Sequence, residues 1–320
     1  MKKDTTKKFL TKVMKIDRFA KGMMFQDIVI GGFIYNKING NLIDAPQNYD
    51  LIEFSNVFSV HQKASLNTNN QFLFPGYKEQ NIVFDNNKQI EFNMIYCEFS
   101  KNDDQKTASD GFFIGETNIT QEFYELIMGN NPSDDKNSKY PVELVSWYDA
   151  VSFCNELSQK QGLETCYEVI EVNQDALGRI VSVNIFCDLN KNGYRLPIER
   201  EWECAARANT NNKYPGCNDE SKILDYGWLA NNSNYQMQVI ATKKPNEWGI
   251  YDMLGGVAEW VNDEIGIHKI LKSISCFQKI EGDFTPILIT SHWTQDPNIG
   301  MRGVGFRIAR SSNKHKSTFF

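Results

Sequence analysis

Apolar residues follow a helical period in three stretches and alternate in several others. Ser146–Gln161 is the clearest helix: Ala150, Phe153, Cys154 and Leu157 fall on one face, Ser146 with Asp149 three residues later matches a capping box, and Gly162 is placed to end it. Thr120–Met128 puts Phe123, Leu126 and Ile127 on one face, and Gly129-Asn130-Asn131-Pro132 stops it. A third helix is predicted to begin at Pro197, carry Trp202, Ala205 and Ala206, and end near Asn209-Thr210. Glu91–Phe99 and Gly111–Gly115 read as strands, and Lys101–Asp110 as a polar loop between them. Tyr167–Val172 and Arg179–Cys187 read as a hairpin across Asp175–Gly178. After residue 210 the period fades. Asn, Asp and Gly recur between isolated aromatics, which predicts loops packed down on a core, with regularity returning only at Gly305–Arg310.

The first 86 residues differ. Asp27–Phe33 is a short apolar run, and Asn39-Gly40 between Phe33–Ile38 and Leu42–Ile43 is a hairpin signal. Leu51–Val60 and Gln71–Phe74 look like further strands, separated by the polar run Ser65–Asn70. The chain divides into a small, mostly β region (1–86), a larger α+β domain (87–312) and a short tail (313–320). The early strands could instead extend the sheet of the second domain.

Composition narrows the function classes. In 320 residues, 41% are hydrophobic, enough for a sizeable core. The net charge of −6 is the wrong sign for a protein that tracks a phosphate backbone, so nucleic acid is not an expected partner. No run approaches 18 apolar residues, so no membrane span is expected, and the basic start lacks the hydrophobic segment of a signal peptide, leaving the cytoplasm as the default. Seven cysteines without a C-x-x-C pair and four scattered histidines argue against a zinc module and a disulfide framework; most thiols read as buried fillers. Phosphate-loop, nucleophile-elbow and H-E-x-x-H motifs are absent.

A set of blocks in fixed order is more specific. They are Phe113–Tyr124, then Met128–Pro132, Pro141–Asn155 and Tyr194–Arg207, then Lys244–Trp260, and last Gly305–Ala309. This series strongly resembles the formylglycine-generating-enzyme (sulfatase-modifying factor) family over roughly residues 90–312. The resemblance implies a C-type-lectin-like domain with two main helices, a small sheet and long ordered loops. Trp202 would be a core anchor, and Gly249–Asp252 with Trp260 would pin a loop to it.

The resemblance also implies chemistry that this chain departs from. The family's enzymes oxidise a substrate cysteine with copper held by two thiolates near the C-terminus, after a segment resembling Arg-Gly-Gly-Ser-Trp. Here that segment reads Lys272-Ser273-Ile274-Ser275-Cys276-Phe277, and Gln278–Ile289 holds no cysteine. Cys276 falls on the aromatic position, and the family's downstream arginine is replaced by His292. Copper and oxidase activity are therefore not expected. Calcium is implied more loosely: Glu259 survives, Gly256 stands where Asn is usual, and Asn232 and Asp252 (with Asn231 near) complete a candidate oxygen set.

Ile274–Arg302 departs most from the family while its ends stay recognisable. Phe277, Gln278, His292, Trp293, Gln295, Asp296 and Asn298 are the candidate ligand-binding residues, since aromatics and amides suit a contact surface. The expectation is a non-catalytic module displaying this face to a protein or glycan ligand, similar to retroelement-diversified variable proteins of the family, whose Arg-Gly-Gly-Ser-Trp tract is not intact here. The alternatives are a divergent copper-dependent oxidase and a structural or self-associating scaffold.

Overall fold

The computed structural model divides the chain into two compact units, Met1–Glu79 with Asn313–Phe320, and Gln80–Ser312. The structure describes residues 74–85, 88–99, 111–174, 180–280 and 287–312, together with the seven N-terminal strands named next. The Lys101–Asp110 loop, the Asn39-Gly40 and Asp175–Gly178 turns and the 313–320 tail lie outside the described residues.

In the first unit, β1 (Val13–Lys15), β2 (Asp27–Ile30), β3 (Phe33–Asn36), β4 (Leu42–Asp44) and β5 (Leu51–Ile52) form one antiparallel sheet in the order β4-β3-β2-β1-β5. Phe33 faces Asp44 and Tyr35 faces Leu42, which is the hairpin pairing expected around Asn39-Gly40. The strand expected over Leu51–Val60 is described only at Leu51–Ile52. β6 (Ser65–Leu66) pairs with β7 (Phe72–Leu73), so part of the run read as a polar separator is a strand.

β8 (Lys78–Asp85), which enters the second unit at Gln80, makes a five-stranded sheet with β9 (Lys88–Glu98), β10 (Gly111–Gly115), β13 (Tyr194–Arg195) and β20 (Ala309–Ser311) in the order β13-β20-β10-β9-β8. β20, which follows the final Gly-Phe-Arg block, therefore returns between β13 and β10. β11 (Tyr167–Gln174) and β12 (Ile180–Cys187) form the expected antiparallel hairpin. β14 (Gly227–Trp228) and β15 (Leu254–Gly255) pair in parallel.

Among the described residues, three helices of eight residues or more pack on this frame. In α1 (Gln121–Met128) the Thr120 hydroxyl accepts from Phe123 N, and Gly129 closes the helix at φ 78°. α2 (Trp147–Lys160) starts with the full Ser146/Asp149 capping box. α3 runs Glu199–Arg207, two residues later than predicted. Glu201 Oε2 accepts from Ile198 N at 3.0 Å and so holds the residue before the helix in place of a Ser or Asp cap. Pro197 lies in the connecting segment, where its carbonyl accepts from Asn262 N.

The core lies between the sheet and α3. Ile95, Cys97, Phe112 and Ile114 meet Trp202, Ala205 and Ala206, with Ile250 and Val261 closing the layer. Trp202 is 1% exposed. Phe153 of α2 contacts Phe123, Tyr124 and Phe306, which ties both early helices to the last block. Truncating a buried aromatic of this kind costs about 3–5 kcal/mol.

The region after residue 210 is more regular than its sequence pattern. β16 (Ala258–Ile265), β17 (His268–Lys272), β18 (His292–Gln295) and β19 (Val304–Gly305) form a second sheet in the order β18-β17-β16-β19. β16 escapes a period-two reading because Ala258, Glu259, Trp260 and Val261 are all buried and its register shifts between Trp260 and Glu264. Among the described residues, no helix is long and apolar enough to cross a membrane.

Candidate functional site

A buried ion pair joins β16, which precedes the divergent segment, to the Gly-Phe-Arg block that follows it. Arg307 Nε donates to Glu259 Oε2 at 2.7 Å and Nη2 donates to Oε1 at 2.8 Å. Trp202 Nε1 and Asn118 Nδ2 donate to the same carboxylate, at 2.8 and 2.9 Å. Arg307 spends its remaining donors on the carbonyls of Gly115, Tyr251 and Asp252. The Ile274–Arg302 segment thus leaves and re-enters a fixed base.

Hydrogen bonds sort the sequence-predicted residues of this segment into three groups. Phe277 and Gln278 lie in a turn, where Gln278 Oε1 accepts from Ser275 N and the half-buried Phe277 ring carries the Arg302 guanidinium at 4.2 Å. His292, Trp293 and Gln295 belong to β18, not to a loop. His292 Nδ1 lies 2.7 Å from Glu199 Oε1, and Trp293 Nε1 donates to the Ser273 carbonyl. The fully buried Lys272 ammonium bridges Glu199 and Glu203 beside them. Asp296 Oδ1 accepts from the amide and side chain of Asn298, a local turn that draws the Asp296 carboxyl below its usual range.

Comparison with known proteins bears on this arrangement. The family model of the sulfatase-modifying factor enzyme 1-like domain matches residues 84–312. The chain belongs to that family. It is 30% identical in sequence to Treponema denticola variable protein 1, with a TM-score of 0.60 over 73% of this chain and 99% of the other. It shares the fold of CarF at 21% identity, with a TM-score of 0.53 over 73% of this chain and 96% of that one. A Paenibacillus barcinonensis protein named chaperone protein LppX is 36% identical over 182 residues, which span 50% of this chain and 65% of that protein.

The copper that the family resemblance implies does not fit the residues present. Cys276 is fully buried, and its Sγ lies 3.9 Å from Met237 Sδ in a cluster with Val257. Burial, then the nearby Glu143, pushes its thiol up to about 12. All seven cysteines are free, five of them buried. A pair of thiolates is needed, and this position supplies one protonated thiol.

The candidate calcium residues are each engaged by protein. Glu259 faces Arg307. Asp252 Oδ2 accepts from Ala241 N, and Asn232 Oδ1 accepts from Leu229 N while its amide donates to the Leu224 and Gly227 carbonyls. Among the described residues, no group of three or more His, Cys, Asp or Glu side chains could hold a metal ion.

Sequence reasoning missed a second strip beside Cys276. Trp228 and Tyr140, half-buried, pack on the Met237–Val257–Cys276 cluster together with Phe277. Cations cover the rings: Lys243 Nζ is 3.9 Å from the Trp228 ring centre, and Lys279 Nζ is 5.6 Å from that of Tyr235. Tyr235 is 48% exposed and sits with Asn234 at positive φ, a costly backbone for an exposed aromatic. The sequence signal was there in Lys243-Lys244 beside scattered aromatics, but their pairing depends on loop paths that periodicity does not report.

Proposed function

We propose that the Gln80–Ser312 unit is a non-catalytic module that binds a protein ligand through residues 226–244 and 274–302. The observation that carries the reading is Cys276: the one thiol of the divergent segment stands on the family's aromatic position, buried, protonated and packed on Met237, and the stretch after it, where the resemblance calls for a thiolate pair, holds no cysteine. What surrounds it is contact surface. Phe277, Trp228 and Tyr235 offer ring area at low entropic cost, and Arg302, Lys243 and Lys279 supply charge beside it. The names of two relatives, a variable protein and a chaperone, favour a polypeptide over a glycan as the ligand.

Two measurements test this. Reduced protein is loaded with Cu(I) and offered a peptide containing Cys-x-Pro-x-Arg. The expected outcome is neither stoichiometric copper nor formylglycine by mass spectrometry, and conversion of the peptide overturns the reading. A photo-crosslinking residue is then placed at Tyr235 or at Ile267, the exposed tip of the β16–β17 hairpin, in cells of the source organism. A discrete protein adduct from Tyr235 alone supports the assigned face. Adducts from Ile267 only, or identical adducts from both, remove it.

A further inference from the structure

A cavity of about 620 Å³ runs along α3 and shares no residue with the Cys276 cluster. Glu199, Glu203 and Arg207 reach it from α3, Asp263 from β16, and Trp248 from the loop between β14 and β15. Glu98 and Arg200, of opposite sign, complete its charged lining.

The two ends of this cavity differ in sign. Glu199 N donates to Asp263 Oδ2 at 2.6 Å, which sets that carboxyl beside the start of α3. Asn246 Nδ2 donates to the Ala205 carbonyl at 2.7 Å, which sets the Trp248 loop against the last turn of α3, where Arg207 lies. Glu203 and Arg207 stand four residues apart, the spacing at which a helical ion pair ordinarily closes. Here it stays open. Glu203 Oε1 accepts from Lys272 at 2.8 Å, and Arg207 Nη1 donates to the Asn212 carbonyl at 3.3 Å. Glu203 Oε2 and the remaining Arg207 N–H groups have no partner among the described residues. Trp248 is 9% exposed, and its indole N–H also donates to no acceptor among the described residues, although a buried indole usually finds one. Unlike Asn118 Oδ1, which the fold seals away without a partner, this N–H keeps solvent contact at the cavity wall.

We infer that the cavity binds a short zwitterionic peptide, its ammonium at Glu199, Glu203 and Asp263 and its carboxylate at Arg207 and the Trp248 N–H. A guanidinium fork with a second N–H beside it matches a carboxylate, and an ammonium brings three donors to the acidic end. The buried Lys272 ammonium serves both Glu199 and Glu203, so that end keeps an excess of acceptors. A helix rises about 1.5 Å per residue, which puts Glu203 about 6 Å and Glu199 about 12 Å from Arg207 along the axis. A peptide of two or three residues spans about 7–10 Å and reaches both ends, which a single amino acid does not. A ligand with one sign of charge satisfies one end and meets like charge at the other. This goes beyond the proposed protein-binding face and uses no residue of 226–244 or 274–302.

Isothermal titration of the full chain with Ala-Ala-Ala tests the inference. Ac-Ala-Ala-Ala lacks the ammonium, and Ala-Ala-Ala-NH2 lacks the carboxylate. Saturable binding of the free peptide is expected, with each blocked form weaker by roughly threefold or more. Two variants test the two ends. Arg207→Gln removes the charge from the carboxylate end, and Asp263→Asn removes one from the ammonium end while keeping an acceptor for Glu199 N. Far-UV circular dichroism and thermal melting check that both fold. Each is expected to weaken the free peptide by roughly threefold or more, as is raised salt. The inference is overturned by no saturable binding of the free peptide up to about 10 mM, by a blocked form that binds as tightly as the free one, or by an unchanged affinity in both folded variants.

Discussion

Arg307 and Glu259 form a two-pronged ion pair in which neither side chain reaches solvent. The pair closes the last block of the chain onto β16, and Trp202 and Asn118 complete the carboxylate's partners. Removing one member of such a pair strands a charge that water cannot reach. Glu259→Gln is therefore expected to cost about 3–5 kcal/mol in a urea unfolding experiment. Arg307→Lys is expected to be comparably poor, because an ammonium cannot reproduce the fork that reaches the carboxylate and three carbonyls at once. A loss under about 1 kcal/mol in both would mean the pair is incidental to the fold.

Asp252 gives the domain a pH dependence with a definite sign. Burial raises its pKa from 3.8 to about 6, against the Ala241 amide and Arg307, which lower it. The folded state therefore holds this proton more tightly than the unfolded chain. That stabilisation is complete below about pH 4 and is lost as the pH rises through about 6, amounting to about 3 kcal/mol at most. Asp252 sits at φ 56°, a conformation that Asn also tolerates. Asp252→Asn should match the parent near pH 4 and exceed its stability above pH 6. Denaturation midpoints compared across that range check it, and parallel curves would mean that Asp252 titrates normally.

Gly303 and Gly256 should respond to substitution in opposite ways, though both have positive φ. A Cβ on Gly303 would lie 2.7 Å from Ser275 Cβ and 2.9 Å from the Phe277 ring, whereas one on Gly256 meets nothing within 4 Å. Gly303→Ala adds backbone strain to a clash and is expected to cost about 2 kcal/mol or more. Gly256→Asn puts a residue that accepts this backbone into open space, and should cost under about 1 kcal/mol. Thermal unfolding of the two variants side by side decides it, and equal losses would contradict the packing of the 275–303 turn.

The contrast between local and distant determinants also explains what could be read from the sequence. Ser146 with Asp149, Thr120 before α1 and Gly129 after it act within a few residues, so their helices were legible. The family blocks made Trp202 legible as an anchor. Contacts such as Asn118 with Glu259, 141 residues apart, leave no local trace. β16 hid because four consecutive buried residues and a register shift erase the period of two. The candidate ligand residues, expected on one face, belong to a turn, an edge strand and an Asx-type turn, since His292 and Trp293 pair with Lys272 and Leu271 of β17.

Cys276 should behave as a core residue and not as a reactive thiol. With a pKa of about 12, its thiolate at pH 8 is roughly one part in ten thousand, and thiolate is the form that is alkylated. Its burial removes access as well. Iodoacetamide at pH 8 is expected to leave Cys276 unmodified in the folded protein and to label it fully in urea, as peptide mass mapping would show. Cys276→Ser keeps the size but sets a hydroxyl against Met237 and Val257, and should cost about 1–3 kcal/mol. Cys276→Ala, which adds no polar group, should be milder. Rapid labelling in the native state would mean that the thiol is accessible and ionised. That result would reopen metal ligation at this position and with it the oxidase alternative.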